Sequence, residues 1–120
     1  MGTLKSFREL IIWKKSMDLA EQIYRVTEKF PKNELFGLIS QMRRAAVSIP
    51  SNIAEGQSRN SRGEFLQFLG VARGSMAELD TQIELSGRLG FLTKEEEKTL
   101  NLRIEEISKM LSGLKRSLPL

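Results

Sequence analysis

Arginine and carboxylate are the reactive groups that this chain's sequence brings together most densely. Between Arg43 and Arg73 the charged residues are Arg43, Arg44, Glu55, Arg59, Arg62, Glu64 and Arg73, so the positive charges are all arginines and outnumber the carboxylates. A guanidinium presents a planar fork of donors that fits phosphate or carboxylate oxygens, which makes such a cluster a candidate for phosphate contacts or for internal ion pairs. The chain contains no histidine and no cysteine. The commonest general base, the Ser-His and Cys-His nucleophile pairs and the usual nitrogen and thiolate metal ligands are therefore missing. No Glu-x-x-His pair exists for a bundle metal site, and no glycine-rich phosphate loop is present, since Gly70 and Gly74 fall within a helical pattern. The residues point to binding without catalysis, and to no metal or cofactor.

The elements that must position these arginines are helical. Leu35, Ile39, Met42, Ala46, Ile49, Ile53 and Gly56 recur at alternating steps of about four and three, the seam of a helix in a bundle. One residue behind most of them runs a polar row, Gln41, Arg44, Ser48, Asn52, Glu55 and Arg59. One residue rotates about 100° around a helix, so this row lies beside the seam and is half-buried. Buried polar groups need partners, and these residues are expected to form a hydrogen-bonded network or to face a partner surface. Pro50 cannot donate to the carbonyl of Ala46 and predicts a kink. The alternative is a break with Asn52 as a new N-cap and Glu55 completing a capping box. The unbroken apolar register favours a kinked but continuous helix.

Around this segment the sequence predicts helices over about 9–30, 34–58, 62–89 and 94–116, with residues 1–8 as a loose arm. The first carries Ile12, Leu19, Ile23, Val26 and Phe30, widened by Trp13, Met17, Ala20 and Tyr24. Such a face is broad enough to meet two neighbours, or another subunit. Pro31 ends it, and Asn33 is the expected N-cap of the second helix. Ser61 and Glu64 form a capping box before Phe65, Leu69, Ala72, Met76, Leu79 and Ile83. Ser75, Glu78 and Gln82 continue a polar row that should meet the one on the second helix, and Arg44 with Glu78 is the expected pair. Gly63, Gly70, Gly74 and Ala77 form a row of small residues that predicts close helix approach. Gly90 reads as a C-terminal cap, Thr93 and Glu96 as a second capping box, and Leu100, Ile104, Ile107, Leu111, Leu114 and Leu118 as the last seam. The result is one all-α domain over 1–120, an up-down-up-down antiparallel four-helix bundle.

The charge is +4 over 120 residues, and the pI is near 9.6. Mild basicity alone says little about nucleic acid, but most of the excess lies in the arginine-rich middle. No apolar run is long enough to span a membrane, and the patch from Leu10 to Trp13 is too short for a signal peptide. Absent cysteines suit a reducing compartment, so the expectation is cytoplasmic.

The strings FPKNELFGLISQMRRAAVSIPSNIAEG at 30–56 and SRGEFLQFLGVARGSMAEL at 61–79, followed by LGFL at 89–92, strongly resemble the four-helix-bundle family encoded by 23S ribosomal RNA intervening sequences. That family is sometimes labelled ribosomal protein S23, and the likeness covers about residues 10–114. It is related to the accessory protein of diversity-generating retroelements, which works with a reverse transcriptase and its RNA. The resemblance implies a homopentameric barrel with a basic surface that binds nucleic acid.

Two functions follow. In the first, the protein binds structured RNA, or DNA, through phosphate contacts from Arg43, Arg59, Arg62 and Arg73, with Lys14 and Lys15 as outlying contributors. About five phosphate contacts would give a log-log salt slope near −3.5 on a single strand, at about −0.7 each. In the bland reading Arg43 and Arg44 are structural, neutralising Glu55 and Glu78. Arg44 fits that better than Arg43, and Arg59 and Arg62, near a loop, are the better contact candidates. Phe65 and Phe68 belong to the packing side, so no aromatic platform for single strands is expected. In the second, the protein is a homo-oligomeric scaffold or accessory subunit, for example to a reverse transcriptase, with Trp13 and Tyr24 as anchors.

Overall fold

A computed structural model describes residues 6–117, and the described residues form four long helices with no strand among them. They are α1 (Ile11–Thr27), α2 (Ser40–Gln57), α3 (Arg62–Arg88) and α4 (Lys94–Ser117). Short 3-10 turns at Phe7–Glu9 and Lys32–Glu34 and a π-helical turn at Leu35–Ile39 complete the chain. Helix α1 packs on α2 and α4, and α3 on the same two, around a bundle of 48 × 24 × 20 Å. Neighbours are antiparallel. Ser48 faces Ser75 while Met42 faces Ser86, and Lys15 pairs with Glu106 while Lys29 pairs with Glu96.

The predicted seams form the core. Leu19, Ile23, Met42, Ile49, Ile53, Leu79, Ile83, Leu100, Ile107 and Leu111 are buried. Leu118 lies outside the described residues, as do 1–5 of the predicted arm. From Ser6 the arm is a capped turn, and Phe7 packs edge-on against Trp13 with ring centroids 5.3 Å apart.

Local signals set the helix ends. Ser61 Oγ accepts from the Glu64 amide at 3.1 Å. Thr93 and Glu96 cap each other reciprocally, at 3.1 and 2.9 Å. Helix α3 stops in a Schellman motif: Gly90 takes φ 78°, the Phe91 amide donates to Ser86 O, and the Gly90 amide to Gly87 O. Glycine reaches that torsion without steric cost.

Two expectations fail. Asn33 is not the cap before the second helix: it sits inside a 3-10 turn, and Glu34 accepts from the Leu38 amide instead. Leu35 leaves the seam and is exposed, because the π-helical turn shifts the register so that Leu38 and Ile39 turn inward. Helix α2 runs continuously through Pro50, as the unbroken apolar register predicts, and does not restart at Asn52, whose side chain bonds back to Ser48. The kink expected at Pro50 is not established, and the torsions outside the helical region fall at Gly37 (φ −109°, ψ −111°).

Candidate nucleic-acid interface and apolar groove

The polar row of α2 is half-buried only at its middle, at Ser48 and Asn52. Ser75 Oγ donates to Ser48 Oγ at 2.7 Å, and Asn52 Nδ2 donates to both oxygens of Ser48, at 2.8 and 3.0 Å. These short side chains let α2 and α3 approach closely. The approach is tight at Gly56, where an added Cβ would stand 2.8 Å from Phe65 Cδ1 and 3.0 Å from Phe68 Cβ. Gln41, Arg44 and Glu78 line a shallow crevice beside the hydroxyl pair, and all three are exposed. The expected Arg44–Glu78 ion pair is not formed among the described residues. Gln82, one turn further along, is buried with its Oε1 unpartnered.

Arg43 and Arg44 thus differ in the opposite sense to that expected from their register. Arg43 donates through Nε to Thr27 Oγ1 at 2.9 Å and through an Nη to Tyr24 O at 3.2 Å. Its guanidinium lies 4.6 Å from the centre of the Tyr24 ring. It ties α2 to the last turn of α1. Arg44 stays exposed.

At the far end of α2 the arginines are also unequal. Arg59 bonds Glu55 at 2.8 Å, approaches Glu64 at 3.9 Å and lies over Phe68, so its charge is largely balanced. Glu55 therefore serves Arg59 and not the central network. Arg62 is half-buried with its Nε unpartnered. Arg73 is exposed and donates to Ser112 Oγ at 2.9 Å. One turn from Ser112 on α4 stand Lys109, Lys115 and Arg116; Lys109 is 3.5 Å from Glu105, while Lys115 and Arg116 are exposed without an acidic partner among the described residues. Lys15 pairs with Glu106 at 3.3 Å, and Lys14 is exposed without such a pair among the described residues. The basic surface therefore gathers on α3 and α4 around Arg73 and Arg116. Sequence reasoning passed over Lys115 and Arg116, although cations in a last helical turn are a recognisable signal.

Among the described residues, no other helix meets the glycines of the small-residue row on α3. A Cβ at Gly63, Gly70 or Gly74 would find no atom within 4 Å, and Ala77 is exposed. The close approach predicted from this row belongs to Gly56 instead.

The wide face of α1 is left partly open. Trp13, Met17 and Tyr24 on α1, with Val47, Pro50 and Ala54 on α2, line a mostly apolar groove of about 720 Å³. Met17, Tyr24 and Val47 remain 40–44% exposed. Glu21 is the one charged lining residue. Among the described residues, no cluster of Asp or Glu could hold a metal ion, and no helix is long and apolar enough to cross a membrane.

Comparison with known proteins places this geometry. A family model described as 23S rRNA-intervening sequence protein matches residues 8–113. The crystal structure of a protein of unknown function from the S23 ribosomal protein family of Bacteroides thetaiotaomicron VPI-5482 superposes with a TM-score of 0.80 at 26% identity, over 89% of this chain and 100% of that one. No curated protein matches the chain.

Proposed function

The chain belongs to the 23S rRNA-intervening sequence protein family, and from that premise we propose a non-enzymatic, self-associating bundle that binds structured RNA through a basic surface. The observation that carries the RNA reading is the grouping of Arg73, Lys115 and Arg116 on adjoining turns of α3 and α4, none ion-paired among the described residues. A cation already neutralised inside the chain has no counterion left to exchange for phosphate, so open cations outweigh Arg43 and Arg59 as contacts. Arg62, at the start of α3, extends the surface. Among the described residues the patch itself holds no aromatic ring, so contacts to phosphate and shape are favoured over base readout.

The test is fluorescence anisotropy of a labelled RNA stem-loop titrated from about 50 to 300 mM KCl. Binding should weaken steeply with salt, and Arg73→Glu with Arg116→Glu should flatten the log-log slope by about 1–2. Salt-independent binding, or none at the lowest salt, overturns the reading.

The apolar groove favours a second reading, a homo-oligomeric scaffold that reaches nucleic acid only together with a protein partner of the reverse-transcriptase class. In that case the isolated protein self-associates but leaves RNA anisotropy unchanged. Both readings share self-association, because an apolar surface this contiguous is characteristic of a protein interface.

A further inference from the structure

The apolar groove has a complement elsewhere on the same chain. In the π-helical turn Leu35–Ile39, Leu38 and Ile39 enter the core while Leu35 and Phe36 turn outward. Phe36 is 93% exposed and Leu35 51%. An aromatic ring held almost wholly in water on a structured turn is a knob without a hole. The hole is the groove between α1 and α2, open enough to accept a phenyl ring and walled by Trp13, Tyr24, Val47 and Pro50. Phe36 cannot reach its own groove. It precedes Pro50 by four turns of helix, about 20 Å along the axis, and belongs to the turn that begins the same arm.

We propose that Phe36, with Leu35, docks into the α1–α2 groove of a second copy of this chain. The charges are compatible: exposed Lys32, one turn before Phe36 and without an ion pair among the described residues, would join the Glu21–Arg25 pair at the groove wall as a second cation on that carboxylate. Knob and groove are different surfaces, so the contact is heterologous, and successive copies add head to tail until the rotation closes a ring. The turn then has a purpose that core packing does not supply. The Gly37 torsions divert the chain so that the two residues before it face out and the two after it face in. The inference rests on the self-association proposed above and specifies how it is built.

The test separates the two. Multi-angle light scattering is run on wild type, Phe36→Glu, Val47→Glu and an equimolar mixture of the variants, with circular dichroism to verify helix content. Both substitutions fall on exposed side chains. The expected result is a wild-type multimer, monomers of about 13.6 kDa for each variant, and a two-chain species in the mixture, where one intact knob meets one intact groove. A wild-type monomer overturns self-association itself. A Phe36→Glu protein of wild-type mass overturns the knob while leaving self-association standing, and monomeric variants that fail to pair overturn the heterologous geometry. A photo-crosslinking residue at position 36, in a mixture of light and heavy isotope chains, gives a readout independent of those variants. Crosslinks between chains to the peptides of α1 and α2 are expected, and crosslinks to any other region refute the docking.

Discussion

Helix α2 has a closed side and an open side. Toward α3, serine, asparagine and glycine let the backbones approach until Gly56 touches the phenylalanines of the next helix. Toward α1, Trp13, Tyr24 and Val47 meet imperfectly and leave a groove, with Arg43 strapped across one end. Small side chains make a seam that is complete within one chain, whereas large ones make a surface that a second body must finish. Apolar content does not separate the two sides; the size of the facing residues does.

The contrast breaks most readily at Gly56. Gly56→Val should destabilise the bundle by about 2 kcal/mol or more, because the Cβ meets a ring and a neighbouring Cβ within a packed seam. A thermal midpoint unchanged from wild type would show that the closed side is looser than described. Next in size is Arg43→Ala, which removes two hydrogen bonds and the contact with Tyr24 and should cost about 1–2 kcal/mol. Arg44→Ala should stay within about 0.5 kcal/mol. Urea midpoints for the pair measure the difference directly, and equal losses would remove the distinction between them. Gly70→Ala and Gly74→Ala should each stabilise the isolated chain by about 0.5–1 kcal/mol, since neither added methyl meets anything and helix propensity rises. Chemical denaturation at low protein concentration tests this, and destabilisation only at high concentration would reveal that α3 also packs against a copy.

The smallest effect concerns the start of α4. The hydrogen bond from Lys29 and the Thr93 amide hold the Glu96 carboxyl below its ordinary range. A depressed carboxylate contributes stability that is fully present above the unfolded value of about 4.3 and is lost as pH falls through the folded value. Wild type should therefore exceed Glu96→Gln near pH 6 by about 1 kcal/mol or less, and the gap in urea midpoints should close toward pH 3. A gap that persists at acid pH would mean that the carboxylate is not its source.

Much of the fold was legible because its determinants are local. The N-cap at Ser61, the capping box at Thr93, the glycine at 90 and the four-three spacing of the seams are short-range signals, and they act in three dimensions as their spacing implies. The failures occurred where a register shift or a competing partner intervened. Leu35 fits a helical seam only if the helix stays regular, and the π-helical turn withdraws it. Arg44 lies in the right row to meet Glu78, yet the serine pair closes the seam without them. Arg43 was hard to assign because its acceptors lie on the preceding helix, where no periodicity points to them. The glycine row of α3 shows the same limit from the other side: spacing places small residues on one face but does not say which body approaches it.

Trp13 is the one tryptophan of the chain, half-buried on the groove wall and braced by Phe7. The intrinsic emission of the protein is therefore a one-site optical gauge. Covering the groove moves the indole away from water and shifts its spectrum to the blue, whereas RNA seated around Arg73 and Arg116 leaves the band where it was. Assembly can thus be followed with no label attached and told apart from RNA binding.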